Sequence, residues 1–147
     1  ELLKLRGKKL CAAESFTGGG VTKRIVDVPG ASEILYEGVV AYANEAKMRR
    51  LGVRGETLRT QGAVSDETAY EMAAGLIASG CCTVSVATTG IAGPASDNTN
   101  KPVGLCYLAV GTAESVYVYK YMFEGSREEV TERAINQTLF LLYKKIR

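Results

Sequence analysis

Three short stretches of the chain carry residue types that can attack, deprotonate and stabilise at a carbonyl group. The first, AAESFTGGGVTKRIV at positions 12–26, sets Ser15 at the end of an apolar run and follows it with Thr17, Gly18 and Gly19. A hydroxyl there can act as a nucleophile. Backbone N–H groups at such a strand-to-helix turn can also face an anion, with the positive end of the helix dipole behind them. The loop lacks the glycine-lysine-serine/threonine ending of a nucleotide-binding P-loop. Ser15 or Thr17 could equally cap a helix.

In the second stretch, AYANEAK at positions 41–47, Tyr42 ends a strand and Lys47 falls in the first turn of the next helix. The dipole disfavours a cation at that place, and desolvation would add to the effect, so a neutral amine able to take a proton from serine is conceivable. An exposed helix lysine is the plain alternative. The third stretch, TTGIAGP at positions 88–94, runs from a strand into glycines. Thr89 with Gly90 and the neighbouring N–H groups could hold an oxyanion or a carboxamide, or the segment could be a tight turn. Arg127 begins the last helix, where a cation calls for an anion to meet it.

What the chain lacks narrows the chemistry further. It contains no histidine, which removes Ser-His-Asp and Cys-His mechanisms and any histidine-based metal site. A hydrolase built on this sequence must take its base from a lysine, a carboxylate or a metal-bound water. Cys11, Cys81, Cys82 and Cys106 lie in apolar, strand-like segments without zinc-site spacing, and are expected to be buried, reduced thiols of a cytoplasmic protein. A net charge of +2, evenly spread, gives no nucleic-acid footprint, and no apolar run is long enough for a membrane span.

The elements that must position these residues follow from periodicity. Strands are predicted over 8–15, 34–42 and 81–90, with a hairpin formed by 103–112 and 115–123. Helices are predicted over 21–28, 45–51, 66–79 and 126–146. Asn44 is expected to cap the second and Ser65 the third, while Ser126 and Glu129 form a capping box for the last. Gly52 and the Pro29-Gly30 pair act as stops. The opening residues ELLKLRGKK read as the tail of a helix, so the domain could be truncated there or excised from a longer chain. This order implies a single α/β domain, three layers deep (α/β/α), with a mixed sheet. In such sheets ligands gather beyond the carboxyl ends of strands, where Ser15, Tyr42 and Thr89 all fall. The alternating Tyr117, Tyr119, Tyr121 and Phe123 are expected to face a covered side of the sheet or a subunit contact.

Taken together, AAESFTGG, GVVAYANEAKMRRLGV, GAVSDETAYEMAAG, TTGIAGP and KPVG resemble the CinA C-terminal domain family over roughly residues 8–135. The resemblance implies an amidohydrolase domain spanning 1–147 that converts nicotinamide mononucleotide to nicotinic acid mononucleotide and ammonia, a pyridine-nucleotide salvage step. Matched position by position, it implies Ser15 as nucleophile, Tyr42 and Lys47 as its catalytic partners, Thr89 in the glycine loop and Arg127 after the last strand. It further implies a homodimer and a reaction with neither metal nor cofactor. In the expected mechanism Lys47 takes the Ser15 proton directly or through Tyr42, while Arg127, helped by Thr17, Gly18 and Gly19, binds the substrate phosphate. The alternatives are a non-catalytic nucleotide-binding or assembly module of the same fold, and a Ser-Lys amidase for another small amide. Phe16 stands where the family usually has cysteine, so the pocket beside the nucleophile is expected to differ in shape. ASDNTN at 95–100 replaces the family's usual glycines.

Overall fold

The computed structural model describes all 147 residues. Its strands are β1 (Leu10–Glu14), β2 (Leu35–Val40), β3 (Val84–Gly90), β4 (Leu105–Thr112) and β5 (Val116–Met122), forming one sheet in the order β2-β1-β3-β4-β5. β1 pairs in parallel with β2 and β3, and the β3-β4-β5 pairings are antiparallel. The helices are α1 (Leu2–Leu5), α2 (Gly20–Val26), α3 (Asn44–Leu51), α4 (Gly55–Thr60), α5 (Asp66–Ala78) and α6 (Arg127–Ile146), with a 3-10 turn at Ala31–Glu33. The expected α/β/α layering and mixed sheet are both present.

Strand alternation divides the core in two. Leu10 and Ala12 of β1, Val84 and Val86 of β3, and Leu108 and Val110 of β4 point to the face covered by Val21 and Ile25 of α2 and by Val130, Ala134 and Leu141 of α6. Cys11, Ala13, Ala87 and Ala109 point the other way, against Leu51 of α3 and Ala69, Met72, Ala73 and Leu76 of α5. Each large aliphatic side chain so buried contributes about 2 kcal/mol. The second face is lined by small residues, so α3 and α5 lie close to the sheet and to each other. Tyr119, Tyr121 and Phe123 pack against the first cluster, Tyr121 and Phe123 stack at 5.4 Å between ring centroids, and the Lys145 ammonium sits 3.4 Å from the centre of the Tyr117 ring. The tyrosine stripe therefore serves the fold.

Several local signals act as expected. Ser65 accepts from the Thr68 N–H, the capping box of Ser126 and Glu129 is complete, and Gly52 closes α3 in the left-handed conformation (φ 70°). Others differ. Asn44 is the first residue of α3 and makes no capping bond, because Ala43 takes the extended N-cap conformation. α4 was not predicted: GETLRT is too short to show a helical period, and only Glu56 in its first turn hints at it. Cys81 and Cys82 precede β3, which begins at Val84, because the turn after α5 uses them. All four cysteines are free, and Cys81 is the one not buried. No helix is long and apolar enough to cross a membrane.

Candidate active site

β1 carries the chain to Ser15 and β2 to Tyr42, both at the carboxyl end of the parallel part of the sheet. β1 leads toward β2 on one side while β3, its other neighbour, turns into β4, so the connections leave β1 and β3 in opposite directions. α3 delivers Lys47 to the ends of β1 and β2. The Lys47 ammonium lies 2.9 Å from Ser15 Oγ, 3.0 Å from the Ala41 carbonyl and 2.8 Å from the Tyr42 carbonyl. At 1% exposure it is the largest fully buried side chain of the protein, and no carboxylate pairs with it. Burial of the charge without a counterion pulls its pKa from 10.5 down to about 8.

This triangle of acceptors decides what the amine can do. Protonated, Lys47 donates one N–H to each of the three oxygens. Neutral, it has two N–H groups for the two carbonyls, which leaves its lone pair directed at Ser15, whose O–H then donates to it. The fold thus presents an alcohol and an orienting, weakly basic amine in contact.

The other sequence-selected residues fall at different distances from this pair. The Tyr42 phenol does not approach the amine: the side chain is 59% exposed, and its oxygen accepts from the Arg127 guanidinium at 3.3 Å. Only the Tyr42 carbonyl touches Lys47, so no phenolic relay is assembled between Lys47 and Ser15. Arg127 also donates to the Gly93 carbonyl at 2.7 Å. This exposed arginine ties two loops to the start of α6 through neutral partners and forms no ion pair. Thr89 donates to the Ala63 carbonyl at 2.6 Å. The register aligning Ala13 with Ala87 sets Thr89 beside Ser15 on the same face of the sheet, and Gly90 ends β3 just beyond.

The glycine loop departs most from expectation. The start of α2 already holds an anion, the carboxylate of Glu14, which is 1% exposed. Glu14 Oε1 accepts from the Thr17 hydroxyl and the Val21 N–H at 2.7 and 2.8 Å, and Oε2 from the Thr22 N–H and hydroxyl at 2.9 and 2.7 Å. Gly18 and Gly19 take left-handed conformations and bend the chain around it. The Thr17 hydroxyl is consequently not available to a phosphate in this arrangement, and the Gly18 N–H donates to the Ser15 carbonyl at 3.0 Å, which corrects those two members of the expected phosphate cradle. Three backbone donors of the loop stay open: the N–H groups of Phe16 and Thr17, directly after Ser15, and that of Gly19 have no partner in the chain.

Sequence reasoning missed Glu14 and Thr88. A glutamate closing the otherwise apolar run LCAA was the available signal, since a buried carboxylate demands donors. For Thr88 it was alternation: on the opposite face from Thr89, its hydroxyl lies 2.7 Å from that of Thr17. Phe16 is turned into the core, 6% exposed, where a side chain added at Gly90 would strike its ring. Phe16, directly after Ser15, therefore fills hydrophobic core. Burial pushes the Cys11 and Cys106 thiols up to about 12, so both stay protonated. No cluster of three or more metal-ligating side chains forms.

Comparison with known proteins agrees with this architecture. The family model described as CinA C-terminal domain matches residues 1–146. CinA-like proteins of Chloroherpeton thalassium and Kosmotoga olearia are 50% and 46% identical over 95% and 90% of the chain. The chain spans about a third of the length of these curated relatives, 33% and 32%. Among solved structures, a competence or damage-inducible protein from Enterobacter asburiae superposes with a TM-score of 0.95 at 32% identity, covering 99% of this chain and 92% of that one. The competence/damage inducible protein CihA from Agrobacterium tumefaciens gives 0.92 at 35% identity, covering 97% and 87%. With the family model covering nearly every residue and the fold matching throughout, the chain belongs to the CinA C-terminal domain family.

Proposed function

We propose that this protein is an amidohydrolase that deamidates nicotinamide mononucleotide to nicotinic acid mononucleotide and ammonia, with Ser15 as nucleophile and Lys47 as base. The observation that supports it most is the buried, unpaired Lys47 amine 2.9 Å from Ser15 Oγ with its pKa lowered to about 8. At pH 7 roughly a tenth of such amines are neutral and competent to accept a proton.

In this reading the Ser15 O–H passes its proton to Lys47 as Oγ bonds to the carboxamide carbon. The oxyanion is received by the open Phe16 and Thr17 N–H groups, each such donor contributing about 3 kcal/mol where similar holes have been dissected. Collapse breaks the C–N bond, and the Lys47 ammonium returns the proton to the departing ammonia. A water then attacks the acyl-enzyme ester, gives its proton to Lys47 and releases the carboxylate, restoring Ser15. Thr89, whose proton goes to the Ala63 carbonyl, keeps its lone pairs for the carboxamide N–H groups. Arg127, a guanidinium with only neutral partners, receives the phosphate. Tyr42 holds that guanidinium, and the proton moves directly between Ser15 and Lys47.

The test is ammonia release from nicotinamide mononucleotide by the purified protein, with saturable binding and no product as the result that overturns the reading. The rate profile carries the base: kcat/KM is expected to rise with pH and level off above about 8, where Lys47 is neutral. A profile flat from pH 6 to 9 would count against Lys47. Arg127→Ala is expected to raise KM for the mononucleotide about tenfold to a hundredfold, the worth of hydrogen bonds to a charged group, and to leave turnover of the riboside, which lacks the phosphate, nearly unchanged. Equal effects on both substrates would remove Arg127 from the phosphate.

A further inference from the structure

A buried carboxylate stands one residue before the nucleophile and takes no part in the steps above. We propose that Glu14 is a positioning residue that takes the place of a bound anion at the start of α2 and thereby fixes the Ser15 hydroxyl against Lys47; the proposal rests on the Ser15–Lys47 reading of the site.

Both Glu14 oxygens are saturated, each by one backbone N–H and one threonine hydroxyl. A carboxylate can only accept, so the Thr17 proton is committed to Glu14. The Thr17 oxygen, 2.7 Å from Thr88 Oγ1, must then accept the Thr88 proton. Thr88 Oγ1, having given its proton away, accepts from the Ser15 N–H at 3.4 Å, a long contact that supplements the Ser15 N–H bond to the Thr88 carbonyl at 3.1 Å. The result is a chain of donors with a single direction, Ser15 N–H to Thr88 to Thr17 to Glu14, anchored on a negative charge.

Two consequences follow for catalysis. The Ser15 N–H is held inward and is not free for an oxyanion, which leaves that role to the open amides after it. The backbone at Ser15 is also fixed from the α2 face of the sheet while its side chain reaches Lys47 on the α3 face, which makes the alcohol-to-amine distance depend on a carboxylate that never meets substrate. Charge-assisted bonds at a helix start are among the stronger ones available for this purpose.

The experiment compares Glu14→Gln and Thr88→Val with the wild type. The amide of Glu14→Gln offers an NH2 group where two donors need an acceptor, while Thr88→Val leaves Glu14 its four bonds and removes only the link to Ser15. Both are expected to lower kcat on nicotinamide mononucleotide about tenfold to a hundredfold with KM changed less than about threefold, in keeping with the sensitivity of rate to small misplacements. Both should slow Ser15 labelling by a fluorophosphonate by a similar factor. A folded Glu14→Gln protein with wild-type kcat and labelling overturns the proposal, as does an effect confined to KM. Should the wild type neither release ammonia nor label, the Ser15–Lys47 reading fails by itself. The crystal structure of Glu14→Gln then decides: an unchanged Ser15 Oγ to Lys47 Nζ distance overturns the positioning role, and a separation beyond hydrogen-bond reach sustains it.

Discussion

Lys47→Met removes turnover and at the same time removes a pH-dependent burden on the fold. The loss of the base is expected to lower kcat by about a thousandfold or more, at the upper end of what a positioned general base contributes. Stability responds because the folded protein holds Lys47 at a pKa of about 8 and the unfolded chain at 10.5. Between those values the unfolded state binds more protons, so the wild type gains stability as pH rises through the window. Below pH 8 it bears the full penalty of a buried ammonium. Methionine fills similar space and does not titrate, although it leaves the Ala41 and Tyr42 carbonyls without their donor. In urea unfolding, the wild type should gain about 3 kcal/mol relative to Lys47→Met between pH 8 and pH 10.5. A difference that does not change with pH would show that the amine is not depressed. Unimpaired turnover would show that it is not the base.

Gly75→Ala is expected to produce the largest loss of stability among single methyl additions on the Lys47 side of the sheet. A Cβ at Gly75 would stand 1.9 Å from the Leu51 carbonyl oxygen and 2.8 Å from its carbon. Both are backbone atoms at the end of α3, so no side-chain rotation relieves the clash. α5 and α3 must separate, opening the cluster that Leu51 shares with Ala69, Met72 and Ala73. Overpacking of this kind costs about 3 kcal/mol, roughly 10 °C in Tm for a chain of this length. Because α3 carries Lys47, ammonia release should fall with it. A variant that keeps the wild-type Tm would mean that the helices are not in the close contact described.

The sequence made the outline of the site legible because its parts sit at element ends, where local signals are strong. Ser15 after an apolar run, Lys47 in the first turn of a helix and Thr89 before glycines could each be placed at the same edge of a sheet without knowing the strand order. The depression of Lys47 is also foreseeable from the sequence, but its cause is burial and not the helix dipole that the local pattern puts first. The partners that lie across the sheet were not legible. Whether Thr88 or Thr89 faced the α2 side depended on the register of β3 against β1, which no local pattern specifies. The anion for the start of α2 came from within the chain, and a glycine loop looks the same whether its anion is a ligand or a glutamate. The Tyr42 phenol reaches Arg127, 85 residues away, a contact set by tertiary packing alone.

α6 begins where Arg127 meets Gly93 and Tyr42, and runs 20 residues to the opposite pole of the sheet. At 1.5 Å per residue that is about 30 Å. There Arg6 donates to the Arg147 carbonyl at 3.0 Å, which ties the turn after α1 to the far end of α6. A fluorophore placed on that last turn would therefore ride a full rod's length away from Arg127 and report on the scaffold without touching it.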